Sequence, residues 1–332
     1  MPTLSTYLVT GGCGFIGSHL SAALLARGDQ VRVLDDLSTG SEDNLAPGAT
    51  LLRGDVCDPA TVRAAMEGVD GCFHLAAIAS VERGVREWLA THRTNLSATI
   101  AVFDAARAGK AGPVPVVYAS SAAVYGDHPV LPLEETMPAR PLSAYGADKL
   151  GCELHARVAG HVHGIPTFGL RFFNVFGPRQ DPRSPYSGVI SIFCDRLSRG
   201  EALDVFGDGH QTRDFIFVAD VVAALLAAMR AASPEAPVFN VCTGQPTSVL
   251  ELASIVAELC NAPLRLRHQP GRVGEIRHSL GSPRLARHAL NLGAPRDLRT
   301  GLREVVAWMR DGRPGLAGGK TRLEHALQAA GD

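Results

Sequence analysis

Gly11-Gly12-Cys13-Gly14-Phe15-Ile16-Gly17 stands between an apolar β-forming run, Thr6 to Val9, and a helix-forming run, Ser18 to Arg27, that Gly28 ends. Glycines at such a strand-to-helix turn suit a dinucleotide. Gly11 permits the tight turn, Gly14 lets the backbone approach a pyrophosphate, and Gly17 lets helix and strand pack closely. The helix N-terminus, where Phe15 and Ile16 join the candidate contacts, favours the phosphate charge. A second strand, Gln30 to Leu34, then delivers Asp35 and Asp36. Asp35 lies 18 residues beyond Gly17, where a carboxylate bonds the adenosine ribose and disfavours a 2'-phosphate, so NAD is expected over NADP. After a third strand, Ala49 to Leu52, the stretch Gly54-Asp55-Val56 either brings a carboxylate and an amide near the adenine or uses Asp55 as a helix N-cap before Pro59.

Strands continue to alternate with helices: Gly71 to Leu75 (strand), Val85 to Ala108 (helix), Val114 to Ala119 (strand), Ala144 to Val162 (helix) and Thr167 to Phe172 (strand). This rhythm predicts an α/β fold, a Rossmann-type doubly wound parallel sheet. After Asn174 the pattern gives way to Gly- and Pro-rich loop sequence, followed by a helix at Val189 to Arg199 and a returning strand and helix at Phe215 to Ala231. The expected organisation is an NAD-binding domain at 1–174, rejoined by 215–242, with a smaller α/β substrate lobe from 175–214 and 243–311 and a mobile tail at 312–332.

Composition narrows the function classes. The 332 residues carry a net charge of −1 and no Lys/Arg run, which argues against nucleic acid or an anionic membrane as partner. Seven widely spaced cysteines without a CxxC pair read as reduced thiols, not as a disulfide framework or zinc site. No basic segment precedes the first apolar residues and no apolar stretch is long enough to span a bilayer, so a cytoplasmic enzyme is expected.

The catalytic signal is Tyr145-Gly-Ala-Asp-Lys149. Residues four apart share a helix face, so the Lys149 ammonium can lie beneath the Tyr145 phenol and stabilise its phenolate, giving a general base. The strand ending Tyr118-Ala119-Ser120-Ser121 puts the Ser121 hydroxyl at the carboxyl edge of the sheet, within reach of the same substrate oxygen. Ser120 reads either as a second such hydroxyl or as one that closes the turn.

With these residues in place the chain resembles the extended short-chain dehydrogenase/reductase family over residues 6 to about 310. It is most similar to the UDP-hexose 4-epimerases, especially those acting on UDP-N-acetylglucosamine. The resemblance rests on Thr10-Gly-Gly-x-Gly-Phe-Ile-Gly17, Asp35-Asp-Leu-Ser-Thr-Gly40, His74-Leu-Ala-Ala77, Ser120-Ser-Ala-Ala-Val-Tyr-Gly126, Arg171-Phe-Phe-Asn-Val-Phe-Gly177, Gly207-Asp-Gly-x-Gln-Thr-Arg-Asp-Phe215 and Arg272-x-Gly-Glu275, in that order. It implies Tyr145 as base, Lys149 as its activator and Ser121 as hydroxyl partner. It adds Ser38, Thr39, Gly40, Leu75, Ala76, Ala77 and Asn95 to the NAD contacts. On the substrate side it implies Asn174 as an amide donor, Arg213 and Arg272 as cations on the diphosphate, and Val205 and Phe206 beside the uracil. Ala122, Phe172, Val189, Gln211 and Glu275 complete that side. The implied reaction passes through a 4-keto intermediate with NAD retained, and a homodimer is implied through the two long helices.

Departures from related patterns select among sugars. Ser121-Ala122-Ala123 replaces the Thr-Asp-Glu of 4,6-dehydratases, so the acid-base pair for water elimination is missing. Glucuronate epimerases replace the Asn of the RxFN motif with Thr and place an Arg near position 181; here Asn174 and Asp181 stand instead, and Asp181 would repel a uronate. Seven positions beyond Arg272, where strict UDP-galactose epimerases carry Tyr, this chain has Ser279, which leaves room for an N-acetyl group. Ala79 replaces a Lys of the galactose enzymes, shifting sugar contacts to Ser80 and Arg83. The expected reaction is interconversion of UDP-GlcNAc with UDP-GalNAc and of UDP-Glc with UDP-Gal. The alternatives are a UDP-glucuronate 4-epimerase or other NAD-dependent nucleotide-sugar enzyme, and a non-catalytic NAD-sensing module.

Overall fold

The computed structural model describes residues 4–109, 111–181, 188–271 and 276–311. The strands of the first half are β1 (Thr6–Thr10), β2 (Gln30–Asp35), β3 (Thr50–Arg53), β4 (Gly71–His74), β5 (Val116–Ser121) and β6 (Thr167–Phe172). They are followed by β7 (Asn174–Phe176), β8 (Leu203–Phe206), β9 (Thr212–Phe217), β10 (Val238–Val241), β11 (Pro246–Ser248) and β12 (Leu266–Gln269). Seven of these form one sheet in the order β10-β6-β5-β4-β1-β2-β3, all neighbours parallel. The strand order reverses at β1, between β2 and β4, and ligands of doubly wound sheets bind outside the carboxyl ends of the strands at that point.

The helices around the sheet are α1 (Phe15–Ala26), α2 (Pro59–Met66), α3 (Val81–Arg86), α4 (Trp88–His92), α5 (Ala98–Ala106), α6 (Ala144–His163), α7 (Val189–Ser198) and α8 (Val218–Ala231). Alternate residues of a strand face opposite sides, and β1 divides its core accordingly. Leu8 packs with Val62 of α2, Val102 of α5 and Ala156 of α6, whereas Val9 packs with Leu20 and Leu24 of α1 and Leu225 of α8. Each fully buried side chain of this size contributes about 1.5–3 kcal/mol, so both faces need their helices.

The remaining helices, α9 (Val249–Cys260), α10 (Arg284–Ala289) and α11 (Leu298–Arg310), follow in the C-terminal part. Phe193 of α7, Leu252 of α9, Leu302 of α11, Val205 and Phe215 form a separate core, and Phe15 and Ile16 at the start of α1 pack against it. β9 stands in a three-stranded sheet with β7 and β11, while its Ile216 packs with α8 and Val241 of β10 in the core of the large sheet.

Two local readings are corrected. The continuous helix expected at Val85 to Ala108 begins at Val81 instead and breaks at Glu87, whose φ of −127° and ψ of 50° are not helical. It then widens into a π-turn over Arg93–Ser97 before α5. Within this stretch Asn95 O accepts from Thr99 Oγ1 at 2.7 Å and from Cys152 Sγ at 3.2 Å. The cap before Pro59 is Asp58, whose carboxylate accepts from Ala60 N and Thr61 N; Asp55 accepts from Cys57 N and closes a turn.

Candidate active site

Gly11 has φ +70°, a conformation open to glycine, and a Cβ there would stand 2.8 Å from Ala76 N. The Gly-rich turn is thereby pressed against the Leu75–Ala76 backbone at the end of β4. Gly17 is closed in by Gly11 O, and Gly40 lies against the Cys13 backbone. α1 has no side-chain cap: Gly14 holds the N-cap position, leaving the amides of Phe15 and Ile16 directed at whatever occupies the turn. The donors fit a dinucleotide diphosphate.

Asp35 is 7% exposed and accepts Cys13 N–H and Leu37 N–H, each at 2.9 Å, so the carboxylate ties the glycine turn to the end of β2. Burial pushes its carboxyl up, while the two amides pull the other way. Asp36 is exposed and accepts from Ser38 N and Ser38 Oγ, and Thr39 is exposed beside them. Val56 is buried in the core beside Val62 and Leu34. Asn95 is fully buried with its amide paired to Ile78 N and Ile78 O, and so fixes the loop after Ala77.

The catalytic candidates lie on α6, which Ser143 caps by accepting Gly146 N–H and which Gly164 ends in a left-handed conformation. Tyr145 is half-buried and Lys149 is 2% exposed, with Nζ 5.8 Å from the Tyr145 ring centroid and donating to Ala119 O at 2.9 Å. Ser121 ends β5, and its Oγ accepts Ala123 N–H at 3.1 Å. A Cβ on Gly146 would meet Ala123 O at 2.6 Å, so the first turn of α6 sits directly on the turn that Ser121 opens. Ser120 faces the other way, donating to Glu153 Oε1 at 2.5 Å inside the protein. Its hydroxyl therefore neither closes the turn nor reaches the cleft.

Beneath this pair lies a chain of neutral donors that sequence reasoning missed. Thr10 Oγ1 accepts Leu75 N–H and Ala76 N–H, which leaves its hydroxyl proton for His74 Nδ1 at 2.8 Å. Thr99 gives its proton to Asn95 O and so accepts from His74 Nε2 at 3.0 Å, which fixes a neutral imidazole protonated at Nε2. Desolvation, and then the Lys149 charge, push His74 down to about 3. At the flank of α1, buried Arg179 donates to Ser18 Oγ at 3.2 Å and approaches His19 Nδ1 at the same distance. Burial lowers Arg179 to about 10, and burial followed by the Arg179 charge lowers His19 to about 3.

The described substrate-side candidates come from six segments of the chain. Asn174 opens β7 with its residue exposed, Phe172 is buried in the core of the sheet, and Val189 starts α7 half-buried. Val205 is fully buried and Phe206 half-buried, with Gln211 Nε2 donating to Phe206 O at 2.9 Å. Arg213 Nη1 donates to Thr212 O, and Ser279 N donates to that same carbonyl at 3.1 Å, which draws residue 279 alongside the start of β9. Buried Asp214, accepting from Thr243 N, Thr243 Oγ1, Gly244 N and Gly281 N, holds the same segment from below. Ser80 caps α3 through Arg83 N, and Arg83 Nε pairs with Glu87 at 2.7 Å. Ala122 and Ala77 are half-buried. Arg272 and Glu275 lie outside the described residues.

The family model described as "NAD dependent epimerase/dehydratase family" matches residues 7–242. The UDP-glucose 4-epimerase of Mycolicibacterium smegmatis is 36% identical, covering 92% of this chain and 98% of that protein. Among solved structures, UDP-glucose 4-epimerase from Thermotoga maritima with UDP-glucose is 34% identical with a TM-score of 0.88, covering 92% of this chain and 99% of the other. The UDP-N-acetylglucosamine 4-epimerase from Methanobrevibacter ruminantium, in complex with UDP-N-acetylmuramic acid, is also 34% identical, with a TM-score of 0.87 and 93% and 99% coverage.

Proposed function

Because the chain belongs to the NAD dependent epimerase/dehydratase family, we propose that it is a UDP-sugar 4-epimerase that interconverts UDP-GlcNAc and UDP-GalNAc, and UDP-Glc and UDP-Gal, using Tyr145 as the base. The observation that carries this reading is α6, which brings Tyr145 and Lys149 to the carboxyl edge of the sheet against the turn that follows Ser121. When bound, NAD supplies a hydride acceptor and donor for C4 of the sugar. Tyr145 takes the proton of the C4 hydroxyl, with Ser121 sharing a hydrogen bond to the same oxygen. Lys149, held by Ala119 O, keeps a positive charge under the phenol through the cycle. After the ring turns and presents the other face of C4 to the cofactor, Tyr145 returns the proton to the C4 oxygen.

Arg213 and Arg272 hold the diphosphate, since permanently charged bidentate donors match it. Holding the nucleotide leaves the hexose free to rotate. The half-buried Ser279, drawn beside Arg213, supports acceptance of an N-acetyl group. Incubating the purified protein separately with UDP-GlcNAc, UDP-Glc and UDP-GlcA, and chromatographing the products, tests the reading. Conversion of the first two is expected, and conversion of UDP-GlcA alone would overturn it.

The assembly is a homodimer in the cytoplasm. Val85, Trp88 and Leu89 on α3 and α4, together with Leu154, Val158 and Val162 along one stripe of α6, are all more than half exposed, an apolar area that suits a second copy. Light scattering should give twice the monomer mass, falling to the monomer in Leu154→Arg.

A further inference from the structure

Three residues of α6 spaced four apart, Tyr145, Lys149 and Glu153, form one stripe toward the sheet. Glu153 is 5% exposed, and both its oxygens are engaged: Oε1 takes Ser120 Oγ–H at 2.5 Å and Arg171 Nε–H at 2.8 Å, and Oε2 takes Arg171 Nη2–H at 2.7 Å. Arg171 of β6, 7% exposed, continues through Nη1 to Tyr125 OH at 2.7 Å, and its guanidinium lies 4.8 Å from that ring centroid. Tyr125 donates to Asn240 Oδ1 at 2.7 Å, and Asn240 donates through Nδ2 to Leu133 O. One buried network thus joins α6, the last residues of β5, the turn after Ser121, β6 and β10.

A buried ion pair is a poor device for stability alone, because apolar side chains of similar volume often serve as well or better. Its distinctive property is direction. A bidentate fork fixes both the distance and the rotation of the helix that carries it, whereas apolar contacts tolerate sliding. Here the fork acts two turns below the phenol, and Ser120 is the residue next to Ser121. We propose that Glu153 and Arg171, with Ser120, are positioning residues for the epimerase reaction, setting the rotation of α6 that aligns the Tyr145 phenol with Ser121.

The inference rests on Tyr145 as the base. The test is Glu153→Met/Arg171→Met, which removes the fork while leaving no single charge buried, assayed for thermal midpoint, retained NAD, and kcat and KM with UDP-GlcNAc. The expected result is a midpoint and NAD content near wild type, an unchanged KM and a kcat reduced tenfold or more. A wild-type kcat in the folded double variant overturns the proposal, as does a kcat loss matched by an equal loss of NAD. Should the double variant not fold, Ser120→Ala keeps the ion pair intact. A several-fold lower kcat, restored by Ser120→Thr at constant KM, supports the proposal, and an unchanged kcat overturns it. Tyr145→Phe run alongside separates the two readings, since an active Tyr145→Phe removes the base itself, while an inactive one beside a fully active double variant removes only the positioning role.

Discussion

Lys149 lies buried beneath Tyr145, its Nζ 5.8 Å from the ring centroid and anchored to Ala119 O at 2.9 Å. The ammonium thereby ties α6 to the strand that ends in Ser121. Replacing Lys149 with Met removes the cation together with its bond to Ala119 O. A fall in kcat of about 10²-fold or more is expected in steady-state assays, and an unchanged kcat would show that the phenol works without it.

Acid stability should carry the mark of two buried imidazoles. His19 and His74 are lowered from 6.5 to about 3, so the unfolded chain binds protons below 6.5 that the folded protein refuses. Their contribution is fully present above 6.5 and is lost as pH falls toward 3. The slope is at most about 1.4 kcal/mol per pH unit for each. Burial raises the carboxyls of Asp35, Asp214 and Asp220, which opposes this loss at the acid end, so the clean window is its upper part. Thermal midpoints measured downward from pH 6.5 should fall, and less steeply in His19→Asn than in wild type.

The placement of Asp35 at the end of β2 predicts cofactor identity. Its carboxylate, already bound to Cys13 N and Leu37 N, is expected to disfavour the extra phosphate of NADP. Nucleotide released by denaturing protein purified without added cofactor should be NAD(H). A majority of NADP(H) would contradict the assignment of this strand.

Local spacing made much of this visible in the sequence. Gly11 to Gly17, Asp35 and the Tyr145–Lys149 interval are short-range patterns whose geometry follows from a strand, a turn or a helix alone. Contacts set by topology were hidden. Glu153 and Arg171 lie 18 residues apart on a helix and a neighbouring strand, and Asp214 meets Gly281 across 67 residues. The direction of Ser120, away from the cleft, depends on the presence of Glu153. The break at Glu87 and the π-turn at Arg93–Ser97 were illegible as well, since neither carries a Gly or Pro signal and the bonds that Asn95 O accepts from Thr99 and Cys152 span two helices.

The proposed determinant of substrate size is Ser279, whose backbone bond to Thr212 O draws it beside Arg213. Ser279→Tyr should abolish activity on UDP-GlcNAc, because a large side chain in a packed pocket is not relieved cheaply. Activity on UDP-Glc should survive. Equal effects on the two substrates, measured as kcat/KM, would remove Ser279 as the determinant.

The most direct test of the account is the rate of UDP-GlcNAc epimerisation by Tyr145→Phe, with bound NAD quantified in the same preparation. Loss of only the phenol oxygen should leave NAD content unchanged and lower kcat by at least about 10²- to 10⁴-fold. Turnover near wild type with NAD still bound would contradict the role of Tyr145 as the base.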